Sequence, residues 1–260
     1  SLSASDDEWT PAGDRHWTHR RYRRKLQLIY KTMVAMDCPA LMGLAEVENG
    51  RVLADLTKGT PLERMGYGFV HYDSPDHRGI DCALLFRRDC LRVLESAVIR
   101  FDFPTRDILQ VAGVLAGGDT MVVWVCHLPS KLGGAQAEVR RRECLLRLKE
   151  AMDSAALRYP SATLLAMGDF NASPQELPSI GYRNLMDSVP EGEGSYCYQS
   201  RWSCIDQMLT NHSSLSAGVF RADFLLETDV RNLEAIPHRT YLGPRYHGGA
   251  SDHLPILAVV

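Results

Sequence analysis

The sequence has no apolar run near the roughly 20 residues that a bilayer-spanning helix needs, and the segment from Ser1 to Trp9 lacks the basic and apolar parts of a signal peptide. Its seven cysteines include no C-x-x-C pair, so their spacing indicates neither a zinc site nor a disulfide framework. The net charge is only -3, which excludes a general positive field that would attract polyphosphate. We therefore expect a soluble protein, cytoplasmic or exported, that holds any phosphate ligand locally.

Phosphate-binding loops of the nucleotide type are also missing, because neither Gly117-Gly118 nor Gly133-Gly134 follows a strand with the required spacing to a Lys-Ser/Thr pair. What is present is ordinary globular composition, with 45% hydrophobic and 23% charged residues in a chain of 260. A chain of this length can bury a large core. We expect a single domain over residues 1–260, acting as a monomer.

Short apolar or alternating runs bounded by turn residues dominate the sequence, and they predict many strands and few helices. This pattern favours an α+β sandwich with helices on its outer faces. Helical spacing of apolar residues occurs at 19–36 and at about 135–157. The predicted strands are residues 40–47, 80–87, 92–99, 108–116, 121–127, 163–167, 195–199, 205–210, 219–226 and 254–260.

The first predicted helix carries a dense basic run from Arg20 to Lys25. Such a run can bind nucleic acid, but it can equally be the solvated outer face of an amphipathic helix. We favour the solvated face.

Ionisable and amide side chains stand where predicted strands end. Asp169 and Asn171 follow the strand at 163–167, and Asp252 and His253 lie in a glycine-rich loop before the last strand. A carboxylate and a carboxamide two residues apart can act together on water and phosphate, although Asp and Asn also favour ordinary turns. Two further strand ends carry chemistry as well, since Glu46 and His127 each close an apolar run. Four such sites favour one functional rim.

Five short segments with ionisable or amide side chains follow one another along the chain: Ala45-Glu46-Val47, His127-Leu128-Pro129-Ser130, Gly168-Asp169-Phe170-Asn171, Ile205-Asp206-Gln207 and Ser251-Asp252-His253. Their order resembles the endonuclease/exonuclease/phosphatase superfamily over about residues 40–260. The resemblance implies a deoxyribonuclease I-like fold, in which two stacked, mostly antiparallel sheets are flanked by helices in four α/β/β/α layers.

The resemblance also implies a metal site and a water-activating group. Glu46 would bind Mg²⁺, or Mn²⁺ in its place, with Asp252 at or near the metal. Asp169 would orient or deprotonate the attacking water, and Asn171 would hold a non-bridging phosphate oxygen. Glu48 is the alternative to Glu46, because both carboxylates lie on the same face of an extended segment.

Two histidines complete the implied set. His253 would stabilise the phosphorane and would be oriented by Asp206. His127 would act from the opposite side of the phosphate, with Asp81 as its carboxylate partner. The family's opening strand ends in an Asn near the metal, and this sequence has no such residue before its first helix. Either a native N-terminal segment is missing or the metal is held with one fewer neighbour, and we favour the missing segment.

Further residues near predicted strand ends are weaker candidates for substrate binding. Ser130 occupies the position where some relatives have a phosphate-contacting Asn, and two aromatic residues could stack on a base or pack in the rim. The basic candidates are Lys131, Arg106, Arg239 and Arg245, and the aromatic candidates are Trp202 and Tyr198.

The sequence therefore predicts a divalent-metal-dependent phosphoesterase, nuclease-like or acting on phosphomonoesters, in which water attacks in line. Its expected partner is a phosphorylated substrate, which nucleic acid could be. A module that keeps the fold but only binds phosphate or nucleic acid is the alternative, supported by the missing Asn.

Overall fold

The computed structural model describes residues 9–231 and 233–259, in which two β-sheets stack face to face with helices on both outer sides. This is the four-layer arrangement that the sequence predicts. No helix in the described part of the chain is both long and apolar enough to pass through a membrane. The helices are α1 (His19–Ala35), α2 (Gly50–Lys58) and α3 (Gly134–Arg158), with 3₁₀ turns at Pro61–Met65, Lys131–Gly133, Pro174–Glu176, Leu185–Ser188 and Asp223–Leu225.

The strands are short, and most of them pair antiparallel with a neighbour. They are β1 (Leu41–Val47), β2 (Tyr67–His71), β3 (Asp81–Arg87), β4 (Leu91–Ile99), β5 (Ile108–Leu115), β6 (Thr120–His127), β7 (Thr163–Asp169), β8 (Arg183–Asn184), β9 (Tyr196–Tyr198), β10 (Arg201–Ser203), β11 (Asp206–Thr210), β12 (Ser216–Val219), β13 (Leu226–Thr228), β14 (Ala235–Pro237), β15 (Tyr241–Leu242), β16 (Arg245–Tyr246) and β17 (Ile256–Val259).

One sheet has six strands in the order β4-β5-β6-β7-β11-β8. Among the described strands its only parallel pair is β6 with β7, and α3 makes the crossover that a parallel connection requires. Facing it is a three-stranded sheet in the order β1-β3-β2, beside which the β12-β17 pair contributes to the same inter-sheet core. The remaining strands form three hairpins, β9-β10, β13-β14 and β15-β16.

Three hydrophobic layers hold this sandwich together. Between the sheets, residues such as Leu84 and Val123 are almost fully buried. On the outside of the six-stranded sheet, Leu148 of α3 packs in one cluster with Trp124. On the outside of the three-stranded sheet, Met33 of α1 belongs to a third cluster. Because each helix buries one apolar stripe against a sheet, the polar ends of the strands are left to form the rim.

Helix α2 shows how the local sequence directs the chain immediately after β1. The side chain of Asn49 accepts hydrogen bonds from the backbone N–H groups of Arg51 at 3.0 Å and Val52 at 3.1 Å. An Asn at this position satisfies donors that have no partner within the first helical turn. Only two residues therefore separate the end of β1 from the start of α2.

The segment 219–226 differs from the sequence prediction, which made it one strand. Only Val219 belongs to β12, and β13 begins at Leu226. Between them Phe220 and Phe224 pack into a small separate cluster around Leu225 and Leu254, so the apolar run reflects burial beneath a loop. Helix α2 and strand β2 are additions that the sequence analysis missed.

The basic side of α1 is only in part the solvated face that the sequence predicts: Arg20 and Arg23 are exposed, but two other basic side chains bind a loop. The side chain of Arg24 donates to the carbonyl of Gly248 at 2.9 Å, and Lys25 donates to Thr240 and to the carbonyl of Ala250. These side chains bind a neighbouring loop because its carbonyl groups have no strand partner.

Packing of α3 leads to a stability prediction. Replacing the fully buried Leu148 with Ala is expected to lower the free energy of unfolding by about 2–5 kcal/mol, because it removes core contacts and leaves a cavity. The matched control is Leu146→Ala on the same helix, where the side chain is 59% exposed and the cost is expected to stay within about 0.5 kcal/mol. Urea unfolding of both variants measures the difference, and equal costs would contradict the packing described.

Candidate active site

Three neighbouring strand ends place charged side chains in one row. In the register of the six-stranded sheet, Asp169 of β7 lies opposite His127 of β6 on one side and Asp206 of β11 on the other. Gly168 allows this close approach, since a Cβ there would lie 2.0 Å from the carbonyl oxygen of Cys126 and its φ of 135° suits only glycine. Residues separated by about 40 positions in the chain therefore become neighbours.

His253 joins this row from the loop before β17. Its Nδ1 lies 2.7 Å from Oδ2 of Asp206, and the hydroxyl of the fully buried Ser195 donates to the same oxygen. The ring of Tyr196 packs against the imidazole with centroids 4.8 Å apart. His253 is thus held by a carboxylate and an aromatic face, which limits both its rotation and its tautomer.

The environment shifts the pKa values of Asp169 and His253 upward for different reasons. Burial, followed by the negative charge of Asp206, raises the pKa of Asp169 to about 7. Burial opposes the charge on His253, but the Asp206 carboxylate outweighs it and raises the pKa of that imidazole to about 10. Near neutral pH the site therefore holds a carboxyl group able to accept a proton beside a positively charged imidazolium.

His127 stays neutral because burial and the positive charge of Arg106 hold its pKa well below the ordinary value. Its Nε2 lies 3.5 Å from Oδ2 of Asp169, and its buried Nδ1 has no hydrogen-bond partner among the described residues. The prediction that Asp81 pairs with His127 is wrong. Asp81 instead lies 3.0 Å from Nε2 of His71 and accepts from the backbone N–H of Ser74.

The sequence predicts that Arg106 binds substrate, but the structure does not place its side chain where a substrate could reach it. Only 6% of it is exposed, and its guanidinium donates to the carbonyls of His127 at 3.1 Å and Leu128 at 2.8 Å and to Asp76 at 3.2 Å. The strand-end position was correctly located, but the side chain points into the protein. Arg106 therefore supports the backbone that carries His127.

Asn171 has a left-handed backbone, with φ 49°, directly after the strand that carries Asp169. Its backbone N–H donates to Oδ1 of Asp169 at 2.7 Å, and its amide donates to Oδ2 at 3.1 Å and to the carbonyl of Leu128 at 3.0 Å. Both amide hydrogens are therefore in use. This arrangement orients the Asp169 carboxylate, and the prediction that Asn171 holds a non-bridging phosphate oxygen stays a prediction.

Glu46 and Asp252 are the carboxylates expected to bind metal. Glu46 is exposed and has φ 58°, because the pairing of β1 with β3 is interrupted between Leu44 and Val47. Asp252 is half-buried next to His253. Within residues 9–231 and 233–259, neither carboxylate makes a hydrogen bond or an ion pair. Two such oxygen donors fit a hard divalent cation.

A second group of potential metal ligands lies at the start of β3. One ligand atom from each of His71, Asp73 and Asp81 lies within 4.8 Å of the others. Of these three residues only Asp81 was a candidate from the sequence, because His71 ends a strand that the sequence pattern does not predict.

The remaining substrate-binding candidates are scattered. Ser130 caps the 3₁₀ turn at Lys131–Gly133, and Lys131 is paired with Glu176 at 2.6 Å. Arg245 is exposed on the β15-β16 hairpin, and no contact joins it to the His253 cluster within the described part of the chain. Arg239 lies over the ring of Tyr196 at 5.4 Å.

The two aromatic candidates differ in exposure. Tyr198 is 59% exposed, whereas the guanidinium of Arg221 covers the ring of Trp202 at 4.3 Å. Tyr198 is therefore open to stacking, and Trp202 is part of the rim packing.

Ser195, Tyr196 and Lys25 also belong to the site or adjoin it, but none of them was a candidate from the sequence. Lys25 lies in the basic run assigned to solvent. Ser195 and Tyr196 open a predicted strand, and a hydroxyl and an aromatic residue at such a position are too common to indicate a site.

Stacked sheets with charged strand ends at one rim define a deoxyribonuclease I-like fold. The sequence matches the Endonuclease/Exonuclease/phosphatase family over residues 2–260, and the chain belongs to that family. No curated protein matches the sequence.

Solved structures support the same fold. Truncated TDP2 from Caenorhabditis elegans superposes with a TM-score of 0.66 at 17% identity, covering 92% of this chain and 91% of that one. TDP2 from D. rerio, complexed with single strand DNA product, gives 0.62 at 15% identity with 91% of each chain covered. The human Nocturnin catalytic domain with bound sulfate gives 0.54 at 20% identity, covering 75% and 77%.

The raised pKa of Asp169 makes a prediction about stability. A carboxyl with a pKa of about 7 when folded keeps its proton longer than in the unfolded chain, so this group's contribution to stability is lost as pH rises through about 7. In Asp169→Asn the side chain cannot ionise, so stability is not lost through this group as the pH rises. Its free energy of unfolding relative to the original protein is expected to be higher at about pH 8 than at about pH 5, by at least about 1 kcal/mol.

Urea unfolding at both pH values measures this difference. The control is Asp153→Asn, because hydrogen bonds from Lys149 and Tyr182 lower the pKa of Asp153 and give the opposite sign, with a small effect at an exposed site. If the free energies of unfolding of Asp169→Asn and the original protein differ by the same amount at both pH values, the pKa of Asp169 is not raised.

Proposed function

We propose that this protein is a divalent-metal-dependent phosphoesterase that hydrolyses phosphodiester bonds, or phosphomonoester bonds, by in-line attack of water. The observation that carries the proposal is the convergence of Asp169, Asp206 and His253 on one rim, with a base and an imidazolium side by side. Family membership supports the reaction class. The relative from D. rerio in complex with single strand DNA product supports nucleic acid as the first substrate to test.

Glu46 and Asp252 would hold the metal ion. Their carboxylates are the oxygen ligands that Mg²⁺ and Mn²⁺ prefer, and neither is committed to another group in the described residues. When bound, the ion supplies positive charge that offsets the negative charge of the phosphate and of the attacking oxygen. The chain's own residues then perform the positioning and the proton transfer.

Asp169 is the proposed general base. With a pKa of about 7, it is strong enough to take a proton from the attacking water while still being ionised in a large part of the population at neutral pH. Asn171 fixes its orientation through two hydrogen bonds. The water oxygen forms the new bond to phosphorus, its proton passes to Asp169, and the bond from phosphorus to the leaving oxygen breaks.

His253 is the proposed stabiliser of the transition state. Nδ1 bonds Asp206, so Nε2 of the imidazolium is the ring atom that can donate to a phosphoryl oxygen as negative charge accumulates there. The neutral His127 lies on the other side of Asp169 and offers a hydrogen bond without adding charge. The base on β7 and the charge-stabilising imidazolium in the loop before β17 thus act from neighbouring parts of one rim.

Hydrolysis of bis-p-nitrophenyl phosphate and of plasmid DNA tests the proposed activity. Turnover is expected with Mg²⁺ or Mn²⁺ and is expected to stop when EDTA removes the metal. Asp206→Asn is expected to lower kcat by about 10²-fold or more, because His253 loses the carboxylate that keeps it charged and aligned.

The matched control is Asp119→Asn, since Asp119 is exposed in the turn before β6, at the end of that strand opposite His127. Its kcat is expected to be unchanged. A folded protein without metal-dependent turnover on either substrate would reject catalysis in favour of a phosphate-binding module.

The proposed base also predicts the acid limb of the pH profile. Protonated Asp169 cannot accept a proton, so kcat/KM is expected to fall about tenfold for each pH unit below about pH 7. Initial rates on bis-p-nitrophenyl phosphate at saturating Mn²⁺ measure the limb. A flat profile down to about pH 5 would show that another group takes the proton.

A further inference from the structure

Helix α1 is tied to the loop that carries Asp252 and His253. Arg24 donates to the carbonyl of Gly248 at 2.9 Å, and Nζ of Lys25 donates to Oγ1 of Thr240 at 2.9 Å and to the carbonyl of Ala250. Gly249 allows the chain to pass here, because a Cβ would lie 1.9 Å from the carbonyl oxygen of His238. The Lys25 ammonium is therefore held at the carbonyl of Ala250, which lies two residues before Asp252 in the chain.

Only neutral oxygens hold this ammonium, and its negative neighbours are the two candidate metal ligands. Burial lowers the pKa of Lys25, and the negative charges of Asp252 and then Glu46 oppose this shift by favouring the ammonium form. Neither carboxylate forms an ion pair with it inside the described ranges. The Lys25 ammonium is thus held at the loop that leads into Asp252, within electrostatic reach of Asp252 and Glu46, without occupying the carboxylate oxygens of either residue.

Such a charge has a predictable effect on cation binding. Two carboxylates alone present a charge of about -2 to an incoming ion, and the ammonium reduces that total by one. A divalent ion and an ammonium within several ångströms of each other repel even in a partly solvated site, and salt screens this repulsion poorly at such short distances.

We propose that Lys25 sets the affinity of the Glu46–Asp252 pair for divalent cations, acting as a built-in positive charge that competes with the ion. The inference rests on the proposed function for the identity of the metal site. Lys25 is a positioning residue in this account, because it acts through the carboxylates and the loop it anchors.

Calorimetric titration with Mn²⁺ alone tests the inference on the folded protein without substrate. Lys25→Met is expected to bind Mn²⁺ about tenfold more tightly than the original protein, since the repulsion is gone. Lys25→Arg keeps the charge and is expected to change the affinity by less than about twofold. The control is Lys31→Met on the same helix, where the exposed ammonium lies over the ring of Phe224 at 3.9 Å, and no change is expected.

A second variant tests the same inference in case Lys25→Met does not fold. Thr240→Val leaves the charge in place but removes one of its anchors, so the ammonium can move away from the carboxylates, and Mn²⁺ affinity is expected to rise about threefold. Circular dichroism establishes that each variant is folded. Equal or weaker Mn²⁺ binding in a folded Lys25→Met, or no rise in Thr240→Val when Lys25→Met is unfolded, overturns the role of Lys25.

Two further titrations distinguish this failure from failure of the proposed metal site. Glu46→Gln is expected to abolish Mn²⁺ binding, whereas Asp73→Asn, in the other group of potential ligands, is expected to leave it unchanged. Binding lost only in Asp73→Asn, or no binding by the original protein, overturns the metal site and the Lys25 inference with it. Binding lost in Glu46→Gln together with unchanged affinity in Lys25→Met overturns the Lys25 inference alone.

Discussion

A single carboxylate oxygen, Oδ2 of Asp206, organises the candidate site. It accepts hydrogen bonds from His253 and from Ser195. Burial is the main reason that the pKa of Asp169 is raised, and the negative charge of Asp206 adds to it; the same charge raises the pKa of His253. Burial and this one neighbour thus give two titratable groups the acid and base character that proton transfer near neutral pH requires.

The scaffold holds these charged groups in backbone conformations that are unfavourable by themselves. Glu46 and Asn171 both have positive φ, a conformation that costs a residue other than glycine on the order of 1–3 kcal/mol. Register in the six-stranded sheet and buried support from Arg106 keep the strand ends aligned. The apolar layers above and below the sheets supply the stability that offsets such strain.

Sequence patterns located the strand ends well because each candidate follows an apolar run that must be buried. The fold class and the family were both predicted correctly from those runs and from the order of the segments. The same patterns failed where side-chain direction mattered. Asp81 bonds His71 instead of His127, Arg106 points inward, and Lys25 binds a loop instead of facing solvent. Periodicity shows which side chains share a face of an element, but it does not show which other element that face contacts.

By itself, the sequence determined which residue types stand at the strand ends and in what order, because hydrophobic spacing and turn residues are local properties. The tertiary structure decided which of them meet. The parallel pairing of β6 with β7 and the antiparallel pairing of β7 with β11 bring His127, Asp169 and Asp206 into one row, and the α1 contact brings Lys25 to the loop of Asp252. Pairing register and helix docking depend on contacts between distant segments, and no local pattern encodes them.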